Sequence, residues 1–204
     1  MIAIVDYGTG NLCSILNMLK KVGAKGVISS DAVDLRNADK LILPGVGAFD
    51  NAMGNLEKLG LIPILNELVV KGRKPILGIC LGMQLLTHTS EEGKLPGLGW
   101  IDADTVRFRF DDRNRLKIPH MGWNTIEQVK KSPLLDDADA EPRFYFVHSY
   151  HVVCRKEEDV LTKTTYGYDF ISSVVKNNIA GVQFHPEKSH KFGMKLLSNF
   201  AERF

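Results

Sequence analysis

Residues 74–84 read Lys74-Pro75-Ile76-Leu77-Gly78-Ile79-Cys80-Leu81-Gly82-Met83-Gln84, and the rest of the chain is arranged around them. The run after Pro75 is short and apolar, the pattern of a buried strand, and residues 81–88 have helical character. Between the two lies Gly78-x-Cys80-x-Gly82, the cysteine counterpart of the G-x-S-x-G nucleophile elbow. A nucleophile on a sharp strand-to-helix turn is held clear of the sheet, and flanking glycines admit a tight backbone and a close approach of substrate. A helix starting after Cys80 aims its amides and its positive dipole end at the sulfur, which favours the ionised form of a thiol. The competing reading is a buried structural cysteine at a strand end.

Upstream, residues 2–5 read as a first strand, followed by Asp6-Tyr7-Gly8-Thr9-Gly10-Asn11 and a helix to about residue 22. A dinucleotide fingerprint fails here because Cys13 stands where the third glycine of G-x-G-x-x-G belongs, and no Walker loop exists anywhere in the chain. The loop reads as a tight crossover near a functional face. Short strands follow at 27–29 and 40–43, with an acidic amphipathic piece between them. Next comes Pro44-Gly45-Val46-Gly47-Ala48-Phe49. Successive N–H groups with little side-chain cover can serve as an anion nest or oxyanion hole, or the stretch is an ordinary glycine-rich turn. Helical patterns over 49–59 and 61–71 lead back to the elbow strand.

Repeated strand-helix-strand units with apolar strands predict an α/β fold with a mainly parallel sheet covered on both faces. Sites in such sheets form beyond the carboxyl ends of the strands. Residues 6–11, 45–47 and Cys80 all fall at such ends. After Gly93 the texture changes to short strand-like runs at 100–110, 115–118, 124–129, 144–154, 160–165, 170–176 and 179–184, separated by turn residues. They predict an antiparallel or mixed extension on the same core. With no long linker, residues 1–204 read as one domain.

Composition sets outer bounds. A chain of 204 residues that is 44% hydrophobic can bury one good core. The net charge of +2, from 26 basic and 24 acidic residues mixed along the chain, suggests neither a nucleic-acid stripe nor a polybasic membrane patch. The longest apolar stretch, 59–70, is broken by Gly60, Pro63, Asn66 and Glu67, so it cannot span a bilayer. The first residues are too short an apolar run for a signal peptide. Cys13, Cys80 and Cys154 are scattered without a C-x-x-C, which suits a reduced cytoplasmic setting and no disulfide or zinc site.

Near the other end, Gly181-Val182-Gln183-Phe184-His185-Pro186-Glu187 closes a strand ahead of a final helix over 189–203. In an extended segment His185 and Glu187 share a face, and Pro186 stiffens the link. A carboxylate beside a histidine fixes its tautomer and leaves the other nitrogen as a base. Cys80, His185 and Glu187 therefore meet the nucleophile, base and orienter pattern. Taken singly, the histidine could be a satisfied strand-end residue and Glu187 a helix cap.

These motifs resemble the class I, triad-type glutamine amidotransferases, and the resemblance runs from residue 1 to the last helix. The segments 6–11, 44–49, Pro119-His120-Met121-Gly122-Trp123-Asn124 and Phe146-Val147-His148-Ser149-Tyr150 are similar to one branch of that family, its glutaminase subunits. The resemblance implies a flavodoxin-like three-layer fold and hydrolysis of glutamine to glutamate and ammonia through a Cys80 thioester. It implies catalytic roles for Cys80, His185 and Glu187, and oxyanion donors at the amides of Val46 and Leu81. Gly45, Gln84, Glu92, Ser149 and Tyr150 would hold the glutamine head, although spacing alone does not separate Glu92 from its neighbour Glu91. No cofactor or metal is implied. The ammonia acceptor would be a (β/α)₈-barrel cyclase forming a heterodimer with this chain, with Asn11, Trp123 and Lys188 as interface candidates. Trp123 could equally be a core residue and Lys188 a solvated one. Other readings are a paralogue feeding ammonia to nitrogen-sugar synthesis for surface polysaccharide, a γ-glutamyl hydrolase, and an inactive partner-binding scaffold.

Overall fold

The computed structural model describes residues 1–110, 116–137 and 141–204. The first half alternates strand and helix: β1 (Ile2–Val5), α1 (Leu12–Lys21), β2 (Gly26–Ser29), α2 (Ala32–Asn37), β3 (Lys40–Gly45), α3 (Phe49–Lys58), α4 (Leu61–Leu65), β4 (Ile76–Cys80) and α5 (Leu81–Leu85). Short strands dominate the remainder: β5 (Thr89–Ser90), β6 (Ala103–Arg107), β7 (His120–Thr125), β8 (Glu127–Gln128), β9 (Arg143–His148), β10 (Tyr150–Cys154), β11 (Val160–Tyr166), β12 (Tyr168–Lys176) and β13 (Ile179–Val182). Helix α6 (His190–Glu202) closes the chain.

Strands β2, β1, β3, β4 and β13 lie side by side in that order, all parallel. The sheet continues antiparallel through β12, β10 and β6, with β11 and β8 branching from β12, while β7 and β9 form a separate antiparallel ribbon. The expected parallel sheet with an antiparallel extension is thus present. Strand alternation sorts the core into two layers. Ala3, Val5, Leu41 and Leu43 face the cluster built by α2 to α5, and Ile2, Ile4, Ile42, Leu77 and Ile79 face the cluster shared with α1 and α6. Fully buried side chains such as Phe49, Leu56 and Leu61 each contribute roughly 1.5–3 kcal/mol of transfer free energy.

Some boundaries differ from the sequence reading, for local reasons. Helix α5 stops at Leu85 because Thr87 takes the Gln84 carbonyl on its hydroxyl at 2.8 Å and the next residues pair with β6. The helical pattern over 61–71 is α only to Leu65 and continues as a π-helical segment Asn66–Lys71. Of the strand-like run 115–118, Arg115 lies outside the described residues and 116–118 form no strand. Residues 120–125 supply β7, where the sequence pattern placed a strand over 124–129. Among the described residues, no helix is long and apolar enough to cross a membrane.

Candidate active site

The carboxyl ends of β1, β3, β4 and β13 open on one rim, where loops of a parallel sheet are free of ladder bonds. Cys80 ends β4 and is the N-cap of α5, with φ 54° and ψ −110°. A positive φ at a side-chain-bearing residue is strained, and the packing around it holds it there. The flanking glycines explain how. A Cβ on Gly82 would sit 1.8 Å from the Leu43 carbonyl oxygen, and one on Gly78 would sit 2.7 Å from the Gly82 oxygen. The first turn of α5 therefore presses directly on the backbones of β3 and β4. Backbone packing, more than substrate approach, requires these glycines.

His185 follows β13 and is 1% exposed. Its backbone N–H donates to the Tyr145 carbonyl at 2.9 Å, and its carbonyl accepts from the Ser189 hydroxyl at 2.6 Å. Residues Pro186–Lys188 form a 3-10 turn, so the segment is not extended as the sequence pattern suggested. Glu187 reaches His185 because the turn folds back: Nδ1 and Oε1 are 2.8 Å apart, with both side chains 2% exposed. The carboxylate fixes the proton on Nδ1 and leaves Nε2 facing the cleft. Nε2 is buried with no hydrogen-bond partner among the described residues. The Cys80 sulfur is close enough to act on it electrostatically without the alignment of a formed hydrogen bond. Burial opposes charge on His185, but Cys80 and Glu187 outweigh it and raise its pKa well above the ordinary histidine value.

The sulfur has two other neighbours. It lies 3.9 Å from the Val147 carbonyl oxygen, and Gln183 Nε2 lies 3.7 Å from it. In front of it is a cleft of about 300 Å³ lined by Val46, Gly47, Cys80, Leu81, Gln84, Glu92, Pro119, Val147, His148, Ser149, Tyr150 and His185. Its volume is at the small end of ligand pockets, fitting an amino acid. Gln84, Glu92, Ser149 and Tyr150, expected around a glutamine head, all line it. Gly45 does not. It pairs with Cys80 across β3 and β4, and a Cβ there would lie 2.7 Å from the Tyr7 hydroxyl and 2.9 Å from Leu81 Cβ.

The two neighbouring glutamates part company. Glu92 faces the cleft and its Oε2 accepts the Phe49 N–H at 2.9 Å, while burial raises its pKa. Glu91 accepts from Arg109 at 2.9 Å and from the Arg107 N–H at 2.7 Å on the exposed side, which lowers its pKa.

The β3 end is held from β1. Tyr7 donates its hydroxyl to the Pro44 carbonyl at 2.5 Å, and burial pushes that phenol upward in pKa. Thr9 donates to the Val46 carbonyl at 2.5 Å, and the Val46 N–H is directed at the Thr9 hydroxyl at 3.3 Å. Use of that amide on an oxyanion therefore competes with Thr9.

Of the interface candidates, Trp123 is 46% exposed and is not a core residue. It stacks on His190 with centroids 5.5 Å apart and planes 3° apart, and Tyr145 meets it edge-on at 6.4 Å. Lys188 lies 5.6 Å over the Tyr145 ring. Asn11 starts α1 without a side-chain cap bond, and α1 packs beside the turn that carries Lys188. The sequence pattern alone assigns no role to Tyr7, Thr9, Gln183 or Ser189. Thr9 stood inside a quoted motif, and Gln183 stands two residues before His185, the spacing that shares a strand face.

Comparison with known proteins agrees with this arrangement. The family model described as "Glutamine amidotransferase class-I" matches residues 3–204. The chain is 56% identical over 203 residues to "Imidazole glycerol phosphate synthase subunit HisH 2" of Methanococcus maripaludis, covering 100% of both chains. It is 54% identical to the protein of the same name from Pseudomonas aeruginosa, covering 99% of each. Among solved structures it superposes with TM-score 0.71 on PurLQS from Thermotoga maritima, at 18% identity, covering 98% of this chain and 96% of that one. The glutaminase domain of Trypanosoma brucei CTPS with bound acivicin gives TM-score 0.66 at 17% identity, covering 100% and 94%. These structural likenesses speak to the fold alone.

Proposed function

The chain belongs to the class I glutamine amidotransferase family, and from that premise we propose that it is the glutaminase subunit of an imidazole glycerol phosphate synthase. The observation that carries the reading is the junction of Cys80, His185 and Glu187 at the floor of a cleft sized for an amino acid. Relatives named for that synthase match the whole chain at more than half identity.

The reaction follows from the geometry. The Cys80 thiolate attacks the side-chain carboxamide carbon of glutamine, and the charge moving onto its oxygen is taken by backbone N–H groups. Leu81, the residue after the nucleophile, supplies one. Val46 supplies the second once its amide turns from Thr9. Losing one such donor typically costs about 10²–10³ in rate, so the Val46 peptide can act as a switch. The tetrahedral adduct collapses with breakage of the C–N bond. His185 Nε2–H delivers the proton, and ammonia leaves. Water then adds to the γ-glutamyl thioester, giving its proton to Nε2, and glutamate departs as the sulfur is restored. Glu187 keeps the imidazole ring aligned throughout. Gln84, Glu92, Ser149 and Tyr150 grip the amino-acid head, with the Glu92 carboxylate opposite the α-ammonium.

Ammonia released into water is lost, so the protein works against a partner. That partner is a (β/α)₈-barrel cyclase that uses the ammonia to form imidazole glycerol phosphate and an aminoimidazole carboxamide ribotide. Trp123, Lys188 and Asn11 form the docking face, because an exposed tryptophan flanked by aromatic rings is the composition of an interface hot spot. Rapid acid quench during turnover tests the chemistry: a γ-glutamyl adduct on Cys80, absent from Cys80→Ala, supports it, and its absence from the active protein overturns it.

One observation favours a second reading of the pathway. Several relatives carry the numerals 1 or 2 in their names, as one of more than one such subunit. A duplicated subunit of this type can feed ammonia to a different acceptor, such as a surface-polysaccharide sugar, because the acceptor chemistry belongs to the partner.

A further inference from the structure

Gln183 is fully buried, and both ends of its side-chain amide are engaged. Its Oε1 accepts from Gln84 Nε2 at 3.1 Å, and its Nε2 lies 3.7 Å from the Cys80 sulfur. The orientation is fixed by a group that cannot reverse. The Tyr150 carbonyl receives His148 Nδ1 at 2.7 Å and Gln84 Nε2 at 3.3 Å. A carbonyl only accepts, so Gln84 must present nitrogen to it. That same nitrogen faces Gln183, which must answer with oxygen and turn its own nitrogen to the sulfur. The carbonyl also sets the imidazoles behind it. With its proton on Nδ1, His148 accepts at Nε2 from His120 Nδ1 at 3.0 Å, and His120 in turn accepts from Asn124 Nδ2 at 3.3 Å.

We propose that Gln183 is a catalytic hydrogen-bond donor to the Cys80 sulfur, selecting its thiolate form, and that Gln84 and the Tyr150 carbonyl aim it. The inference rests on Cys80 being the nucleophile of the reaction described above. A neutral thiol is a weak acceptor, and a buried amide N–H whose acceptor among the described residues is this sulfur is far better satisfied by a thiolate. On another side of the sulfur the Val147 carbonyl, 3.9 Å away, can accept from the protonated thiol alone. The sulfur thus sits among four groups: the Val147 carbonyl, which favours its protonated state, the His185 ring, which favours the ionised state when it carries its second proton, the buried neutral Tyr7 phenol, and Gln183 Nε2, which adds a donor for the ionised state. Gln183 adds its donor at a sulfur that is itself buried. It also ties the nucleophile to Gln84, a residue of the substrate pocket, so a substrate that moves Gln84 alters the donor to the sulfur.

The test is the rate of Cys80 alkylation by iodoacetamide against pH, with glutamate release measured alongside. Gln183→Met keeps the length and removes the donor, and Gln183→Glu places an anionic acceptor in the same space. Both variants are expected to alkylate about tenfold more slowly at pH 7, the worth of one charge-assisted hydrogen bond over a neutral one. They should reach the unchanged plateau at high pH, where every thiol is ionised. A merely structural role would lower both ends of the profile or neither. Alkylation at pH 7 equal to the unmodified protein overturns the proposal. Should Gln183→Met fail to fold, the side-chain amide protons of Gln183 in the unmodified protein are followed by NMR. Movement with the same pH midpoint as alkylation supports the donor, and resonances blind to Cys80 ionisation overturn it. Failure of the underlying reading looks different: glutamate release that survives Cys80→Ala removes the nucleophile itself.

Discussion

The Val46 amide and the Thr9 hydroxyl face each other across the loop ends of β3 and β1, with the N–H 3.3 Å from Oγ1 and the same hydroxyl donating to the Val46 carbonyl at 2.5 Å. The amide assigned to the oxyanion is thereby held by a side chain from the loop after β1. Thr9→Ala releases both bonds. A neutral hydrogen bond is worth about 1 kcal/mol, close to fivefold in an equilibrium. Basal glutamate release by the isolated chain is expected to rise about fivefold in Thr9→Ala. A rate at or below that of the unmodified protein would show that the bond does not restrain the active conformation.

Glu187 helps keep the His185 proton against the cost of burial. Removing its charge in Glu187→Gln lowers the His185 pKa, so the ring loses its proton at a lower pH than before. The alkaline limb of kcat/KM is expected to move to lower pH, with kcat reduced about 10²–10⁴-fold, as when an orienting carboxylate is neutralised in a catalytic triad. An alkaline limb that stays in place would show that Glu187 does not act on the titrating ring.

Glu92 and Glu91 separate by environment. Glu92→Gln keeps the bond from the Phe49 N–H within reach of an amide oxygen but removes the charge that faces the cleft. The KM for glutamine is expected to rise about tenfold, the value of one charge-assisted contact, with kcat changed far less. Glu91→Gln touches the exposed Arg109 pair, and its KM is expected to be unchanged. Equal effects in the two variants would contradict the assignment.

A buried imidazole line gives the fold its own pH response. Burial pushes His120 down to about 4 and His148 to about 3, against about 6.5 in an unfolded chain. Above 6.5 both states are neutral and these groups exert no effect. As the pH falls below 6.5 the unfolded chain takes up protons that the folded one refuses, so stability drops until the rings protonate near 4 and 3. The thermal midpoint is expected to fall steadily from pH 6.5 to 4, and less steeply in a His120→Phe variant, which keeps the stacking on Tyr166. Equal slopes would place the acid sensitivity elsewhere.

What was legible in the chain depended on whether a residue's role is local. The elbow, the β1 to β4 alternation and the pairing of His185 with Glu187 are written within a few residues each, where period and glycine placement are decisive. Glu187 nevertheless reaches its partner through a turn, since Pro186 starts a 3-10 segment and not an extended one. The roles of Thr9 and Gln183 were not legible. Each depends on a residue far away in sequence, Val46 for one and Cys80 for the other, brought close only by the sheet order. Trp123 was ambiguous for a related reason. Alternation along β7 gives two faces, and only the packing of the β7–β9 ribbon on the core, with Phe144 and Phe146 turned inward, decides which of them meets solvent.

The measurement that bears most directly on the whole account is glutamate release from glutamine by the purified chain, alone and with a cyclase carrying its nucleotide substrate, with Cys80→Ala as control. Low release alone, strong activation by the loaded cyclase, and no release from the variant under either condition are expected. Release that depends on Cys80 but ignores the cyclase would contradict the assigned pathway. Release that survives Cys80→Ala would contradict the mechanism itself.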